Sequence, residues 1–303
     1  MRNCRLIRNI KATISYYNLR VHKRKNEIIV LLSCPIGDVV YALSLIKEYK
    51  SRHMDKKIVL VAEKNTAPIV IAFHGYDEVR YYSKKKRVGE WIFTYLTASK
   101  FYASKGLKED IINTVPWILH GVIGSTCIDR LKEDLSLPYD AQLQYPAVDS
   151  PLPSLVKDNG FTKTMIVNAF AHNDLNNELD LLFHEVINIA HKNNYIVYSN
   201  VVGEQPPIEG TIALRCSLDD FYHIANSVSL IISIRTGLMD WINNTKSKKI
   251  IIYPPSFNSD WSNFYSMKVW NQSSIMEFRY SDKNSIISAV KRIINESISG
   301  AAK

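Results

Sequence analysis

The residues best suited to hold a charged ligand lie at 235–240, Arg-Thr-Gly-Leu-Met-Asp. A cation, a hydroxyl and a glycine stand together after the apolar run LIISI (230–234). They precede a segment suited to a short helix, 238–244, in which Leu238 and Ile242 fall four apart on one face. A second Ile-rich run, 250–253, follows and is stopped by Pro254 and Pro255. Strand, tight turn, helix, strand is one βαβ unit. In open α/β sheets ligands bind outside the carboxyl ends of strands, and free helix N–H groups there attract phosphate. Arg235, Thr236 and Gly237 therefore read as a phosphate-binding turn. The alternative is an ordinary turn in which Arg235 pairs with a surface carboxylate.

Two further groups sit at corresponding places. Gly37 and Asp38 follow the first apolar run, IIVLLS (28–33), and precede a helical stretch, 39–50, with Val39, Leu43 and Ile46 on one stripe. Asn168, His172 and Asn173 fall at and just after the run TMIVNA (164–169), where a loop normally faces a ligand crevice.

The elements that must position these groups come in two alternating series. Strands at 28–33, 57–62 and 78–82 alternate with helices at 39–50 and 66–73. A polar stretch at 146–163 carries Pro146, Pro151, Pro153 and Gly160 and reads as a linker. Strands at 164–169, 195–199, 212–214, 230–234, 250–253 and 275–280 then alternate with helices at 181–191, 218–227, 238–244 and 283–296. Ser217 reads as the N-cap of the helix at 218, with Asp219 and Asp220 in its first turn. Residues 170–179 and the aromatic-rich stretch after Pro255 read as loops. Within 106–145 the pattern is weak: 115–124 fits a strand or a buried helix, and 137–146 looks extended. The expectation is an α/β protein with a basic N-terminal extension (1–27), a first domain (28–150) and a second (151–303), with a cleft between them. A chain of 303 residues suits two domains.

Composition narrows the partners. The net charge of +9 favours an acidic ligand or surface. The cations are scattered, with no basic helix or RNA-binding motif, so nucleic acid is not expected as a partner. The four cysteines lie far apart without a CxxC pair, which excludes a zinc or disulfide framework and suits the cytoplasm. No GxGxxG follows the first strand, so a dinucleotide-dependent oxidoreductase loses its main support. No apolar run reaches the length of a membrane span, and 1–27 lacks the continuous apolar core of a secretory signal. Its mixture of Arg, Lys, Leu and Tyr suits the surface of an anionic leaflet, or else a solvated extension.

Two stretches carry a family resemblance. CPIGDVVYALSLIKEY (34–49) resembles the first-domain motif of the heptosyltransferase-type glycosyltransferases of family 9, in which a Gly-Asp turn opens a helix after the first strand. SLDDFYHIANSVSLIISIRTGLMDWI (217–242) resembles their donor motif, which ends in Asp-Thr-Gly-Pro-Met-His. Thr236, Gly237 and Met239 match; Arg235 stands for the Asp, Leu238 for the Pro and Asp240 for the His. The resemblance implies the GT-B fold, two Rossmann-like domains with parallel sheets facing a central cleft, the first for the acceptor and the second for the donor. It implies transfer of a sugar from a nucleotide-sugar to a hydroxyl of a glycan or lipid-linked glycan, in assembly of a surface polysaccharide or lipooligosaccharide.

A base-assisted single displacement of this kind inverts the anomeric centre. Asp38 is then the general base, with Gly37 in the same turn as part of an acceptor or phosphate loop; the competing role for Asp38 is to cap its helix. Arg235, Thr236 and Gly237 take the donor phosphates, with Asp240 holding the Arg235 guanidinium and Asn168, His172 and Asn173 completing the donor site. No DxD-type acidic pair stands at a strand end, so neither a metal nor a cofactor is expected. Phe257 and Trp261 offer a wall for base and ribose, or else core packing. The protein is expected in the cytoplasm, peripheral at the inner face of the cell membrane. Two other readings are a GT-B polyol-phosphate transferase and a non-catalytic basic nucleic-acid-binding or scaffold protein of the same shape.

Overall fold

The computed structural model describes residues 23–32, 35–82, 110–114, 122–154, 156, 161, 163–169, 177–270 and 272–300. The chain divides between Ala147 and Val148 into two compact units.

In the first unit the elements are β1 (Glu27–Leu31), α1 (Ile36–Arg52), β2 (Lys57–Glu63), a 3-10 turn (Lys64–Thr66) running into α2 (Ala67–Ile71), β3 (Glu78–Tyr82), β4 (Ile111–Asn113) and α3 (Cys127–Asp134). The strands are all parallel, in the order β3-β2-β1-β4. Every residue of β1 is buried: Ile28 to Leu31 form its apolar run, and the buried Glu27 at its start is paired with Arg80 (2.8 Å). Helix α1 starts three residues earlier than its apolar stripe suggests. Pro35 occupies the N-cap at φ −65°, an angle fixed by its ring and suited to helix entry. Gly37 and Asp38 are thus first-turn residues of a helix rather than the turn before one.

The helix expected at 66–73 is instead a 3-10 turn followed by a five-residue α-helix. The chain then turns at Gly75, which has φ +101° and lies so close to α1 that a Cβ would stand 2.4 Å from Lys47 Cα. Neither the angle nor the space admits a side chain. Strand β4 and helix α3 lie in the stretch whose pattern is weak: β4 has only three residues. Helix α3 is opened by a capping box between Thr126 and Asp129. Beyond α3 the chain runs extended and is strapped back onto the unit. Gln144 donates from its backbone to Ser44 O (2.9 Å) and from Nε2 to Leu43 O (2.7 Å) and His74 O (2.8 Å), and Ala147 N donates to Ala72 O (2.8 Å).

The second unit runs β5 (Thr164–Asn168), α4 (Asn177–Lys192), β6 (Ile196–Asn200), β7 (Ile212–Leu214), α5 (Leu218–Ser227), β8 (Leu230–Ile234), α6 (Gly237–Trp241), β9 (Lys248–Tyr253), α7 (Ser259–Phe264), a 3-10 turn (Met267–Trp270), β10 (Ile275–Arg279) and α8 (Lys283–Gly300). Its six parallel strands lie in the order β10-β9-β8-β5-β6-β7. Met165 pairs with Leu230 and Asn168 with Ser233 across the centre of the sheet. One face packs against α4 and α8, where Val167, Phe183, Val186, Ile232, Ile250, Val290 and Ile294 form a continuous buried cluster. Burial of each such side chain contributes about 1.5–3 kcal/mol.

Helix α5 begins at the expected cap: Ser217 Oγ accepts from Asp220 N, and the Asp220 carboxylate accepts from Ser217 N. Helix α4 starts at Asn177, inside the stretch read as a loop, and α6 is shorter than expected, ending at Trp241. The aromatic stretch after Pro255 also holds a helix, α7, whose Asn258 cap accepts from Asp260 N and Trp261 N at 3.1 Å. A buried lysine, Lys249 on β9, donates to the carbonyls of Thr245 (2.7 Å) and Ser247 (3.0 Å). Burial pulls its ammonium down to about 7.

Candidate functional site

In the second unit the chain runs outward from β5 to β6 and β7, then crosses to β8 and runs outward the other way to β9 and β10. The strand order reverses between β5 and β8, the kind of switch point outside whose carboxyl ends open α/β sheets bind ligands. Three buried polar side chains form a row there. Asn200 Nδ2, at the end of β6, donates to Asn168 Oδ1 at the end of β5 (2.9 Å). Asn168 Nδ2 donates to Ser233 Oγ on β8 (2.8 Å), and that hydroxyl donates to Ile234 O (2.6 Å). Each bond fixes the next, so the Asn168 carboxamide has one orientation. Such polar groups are stable inside a core only when partnered in this way.

Arg235 follows directly and points into the protein. Its side chain is 3% exposed, and Asp240 is 1% exposed. Nε donates to Tyr265 O (2.9 Å), Nη1 to Thr236 O (2.7 Å) and Nη2 to Asp240 Oδ1 (2.8 Å). The guanidinium carbon also lies 5.8 Å from the centre of the Tyr265 ring. Asp240 Oδ1 accepts a second bond, from Trp270 Nε1 (3.3 Å). Arg235 is therefore paired with a buried carboxylate, not with a surface one. Thr236 and Gly237 are half-buried beside this pair. Thr236 is the N-cap residue of α6, yet its hydroxyl makes no cap bond and has no hydrogen-bond partner among the described residues. His172 and Asn173 lie outside the described residues.

The insertion after β9 is fastened to the same edge of the sheet. The Tyr253 hydroxyl donates to Tyr265 O (3.1 Å) and to Glu277 of β10. Burial, reinforced by the Glu277 carboxylate, pushes the Tyr253 phenol far up. Glu277 also accepts from Ser266 Oγ (2.9 Å) and Met267 N (2.6 Å). Tyr253, Phe257, Trp261 and Tyr265 form a series of neighbouring rings. The first pair lies 5.9 Å apart and the second 6.5 Å, and Trp261 stacks on Tyr265 at 5.9 Å with planes 11° apart.

The first unit has its own switch point, between β1 and β4. Asp38 is in the first turn of α1, just past β1, and is 5% exposed; Gly37 beside it is buried. A carboxylate in this position is favoured by the helix dipole. The N-cap itself is Pro35, so Asp38 does not hold that position. Thr114, just past β4, donates its hydroxyl to Leu31 O (2.9 Å) and ties the ends of β1 and β4 together.

The structure thus brings Arg235, Thr236 and Asp240 together, with Asn168 across the strand pair. Asp38 and Gly37 belong to the other unit. Pattern reading passed over Asn200, Ser233, Tyr265, Trp270 and Glu277. The available signal for the first two was a polar residue placed inside or at the end of an otherwise apolar strand. Among the described residues, no group of three or more His, Cys, Asp and Glu is placed to hold a metal ion. No helix among them is long and apolar enough to cross a membrane.

No protein-family model and no curated protein matches the sequence. Solved structures do match, along nearly the whole chain. The family 9 glycosyl transferase from Veillonella parvula DSM 2008 has a TM-score of 0.59 at 13% identity, covering 91% of this chain and 99% of that one. The E. coli heptosyltransferase WaaC, solved with ADP, gives 0.58 at 15% identity, over 89% and 99%. E. coli ADP-heptose LPS heptosyltransferase II gives 0.60 at 12%, over 91% and 100%. The chain is similar to these proteins in fold. With its two parallel sheets, the likeness establishes the GT-B architecture expected from the two motifs.

Proposed function

We propose that the protein is a glycosyltransferase that moves a sugar from a nucleotide-sugar to an acceptor hydroxyl, with inversion and without a metal ion. The observation that carries this reading is a coincidence of fold and polarity. A chain built like the heptosyltransferases over 91% of its length places buried polar residues at the switch point of each sheet. In the reaction the acceptor oxygen attacks the anomeric carbon as the bond to the nucleoside diphosphate breaks. Asp38 takes the acceptor's proton, and the bond's electron pair leaves with the diphosphate.

The diphosphate lies against the Thr236–Gly237 turn, with Arg235 holding that turn through its bond to Thr236 O and Asp240 holding Arg235. Asn168 lines the β5 side of the same crevice, with His172 and Asn173 in the connection that follows it. The acceptor is a glycan or lipid-linked glycan of surface polysaccharide or lipooligosaccharide assembly. The basic segment 1–27 keeps a cytoplasmic enzyme at an anionic membrane face.

Thermal-shift measurement against a panel of nucleoside diphosphates tests the donor class, and release of the diphosphate from the matching nucleotide-sugar tests turnover. Asp38→Asn, which keeps size and removes basicity, should lower turnover at least ~100-fold with diphosphate affinity unchanged. If no nucleoside diphosphate stabilises the protein, the reading fails.

A further inference from the structure

The chain enters the first unit through a clamp of paired charges. Lys23 Nζ donates to Asp110 Oδ2 (2.8 Å) and to Glu27 O (2.9 Å). The fully buried Glu27 carboxylate accepts from Arg24 N (3.0 Å) and from Arg80 Nη2 (2.8 Å). Asp110 directly precedes β4 and Arg80 lies on β3, so the clamp ties the start of β1 to both strands. A chain held at residues 23 and 24 in this way leaves the unit at one place, the amino edge of the sheet. Residues 1–22 lie outside the described residues, but their composition is plain: Arg2, Arg5, Arg8, Lys11 and Arg20, with no Asp or Glu. Whatever that stretch binds is brought against the amino edge.

The surface at this edge suits the same partner. Helix α1 runs back along the sheet and ends here, where the turn over residues 53–56 leads into β2. Met54 in that turn is 81% exposed. Several cations of the edge are neutralised: Lys50 by Asp77 (2.8 Å), Arg52 by Glu48 (3.0 Å) and Lys57 by Glu78. Lys25, Lys47 and Lys56 have no ion pair among the described residues, and one acid, Asp55, is likewise unpaired. The edge thus presents an apolar tip among uncompensated lysines, beside the entry of a cationic stretch without acids. Anionic lipid takes both parts: its headgroups attract the cations, and the boundary with the acyl chains takes the apolar side chain. Nucleic acid would take the cations but has no use for the methionine. Because stretch and edge adjoin, one bilayer engages both, and the second contact is made at high effective concentration.

We propose that the amino edge of the first sheet, with Met54, Lys47 and Lys56, is the face that lies on an anionic bilayer, so that the edge carrying Asp38 is turned away from it. This rests on the membrane reading given above and names the surface that carries it. The five residues of β1 separate the two edges by roughly 17 Å.

The test is co-sedimentation of the full chain with vesicles of phosphatidylglycerol and phosphatidylcholine, and with vesicles of phosphatidylcholine alone, after thermal melting has shown each variant folded. Wild type should sediment with the first and not with the second. Lys47→Gln combined with Lys56→Gln should lower partitioning by about 25-fold, fivefold for each lysine at ~1 kcal/mol, and Met54→Gln should weaken it too. Lys64→Gln neutralises an exposed lysine just past β2, at the carboxyl edge, and should partition as wild type does. A fivefold loss in that variant shows diffuse attraction of the net charge and overturns the assigned face. Loss of binding on removal of residues 1–22, with no effect of the Lys47, Lys56 and Met54 changes, also overturns it while the membrane reading stands. Tighter binding of a single-stranded oligonucleotide than of anionic vesicles, lost in the same lysine variants, gives the edge to nucleic acid and overturns it as well. If wild type ignores the anionic vesicles, the membrane reading and this face fail together, and the diphosphate measurements above decide the glycosyltransferase reading separately.

Discussion

Replacing Arg235 by alanine removes a guanidinium that bonds Asp240, Thr236 O and Tyr265 O at 2.7–2.9 Å, all in a place where the side chains are 1–3% exposed. The largest consequence is electrostatic: the Asp240 carboxylate stays buried without its cation. Removing one partner of a buried pair costs about 3–5 kcal/mol, and a unit of this size loses roughly 2–4 °C of Tm per kcal/mol. Scanning calorimetry of Arg235→Ala should therefore show the second unit melting ~6–20 °C lower. Replacing the pair together, as in Arg235→Met with Asp240→Leu, removes both charges and should recover most of that loss.

A melting point within ~2 °C of wild type for Arg235→Ala, below the shift expected for even 1 kcal/mol, would refute the reasoning. The same residue separates two ways of serving a ligand. Its described donors face inward, so Arg235→Lys should change diphosphate affinity less than tenfold. A loss of about 10- to 150-fold, the worth of a hydrogen bond to a charged group, would show that the guanidinium itself reaches the phosphates.

Two further outcomes follow from the packing. Gly75→Ala must adopt a left-handed angle and place a methyl 2.4 Å from Lys47 Cα. Strain of about 1–2 kcal/mol and overpacking of about 1–3 kcal/mol together predict a loss of ~2–5 kcal/mol in denaturant unfolding of the first unit. Lys249 titrates near 7 when folded, against 10.5 when unfolded. Between those values the unfolded chain binds more protons, so this residue makes stability rise with pH, by up to about 1.4 kcal/mol per unit. Below pH 7 both states are protonated and the penalty of the buried cation is complete. Urea unfolding between pH 7 and 9 should show that slope in wild type and a flatter one in Lys249→Met.

Much of the fold could be read from the sequence because buried parallel strands announce themselves. The runs IIVLL, LIISI and IIIY belong to strands paired on both sides and are buried throughout, so they show little of the polar alternation of a half-exposed strand. The Ser217 cap was equally readable, since its chemistry is local. Short elements were not. Three-residue β4 and six-residue α7 are too brief to show a period, and α7 depends on packing of rings that composition alone leaves ambiguous.

At the site, Arg235 and Asp240 were visible as residues with chemistry on a strand–helix junction. The direction of the guanidinium was not, because its acceptors are backbone carbonyls, one of them 30 residues away. The Asn200–Asn168–Ser233 row was hidden for the same reason: its bonds join residues 32 and 65 apart in the chain.

The strap formed by Gln144 and Ala147 bears on the order in which the protein is made. Its bonds reach back 101 residues to Leu43 and 70 to His74, and they come from the last few residues of the first unit. A nascent chain ending before Gln144 has β1, β2 and β3 available to pair, but the carbonyls of Leu43, Ser44, Ala72 and His74 still lack these partners. The first unit therefore completes itself with its final residues, as a buckle closes a belt, at the moment synthesis passes into the second. Contacts of such long separation are the slow step of folding, and domains generally fold as units from the amino end during synthesis. The boundary after Ala147 thus marks the point at which the first half of the chain can become self-sufficient, before any strand of the second sheet has been made.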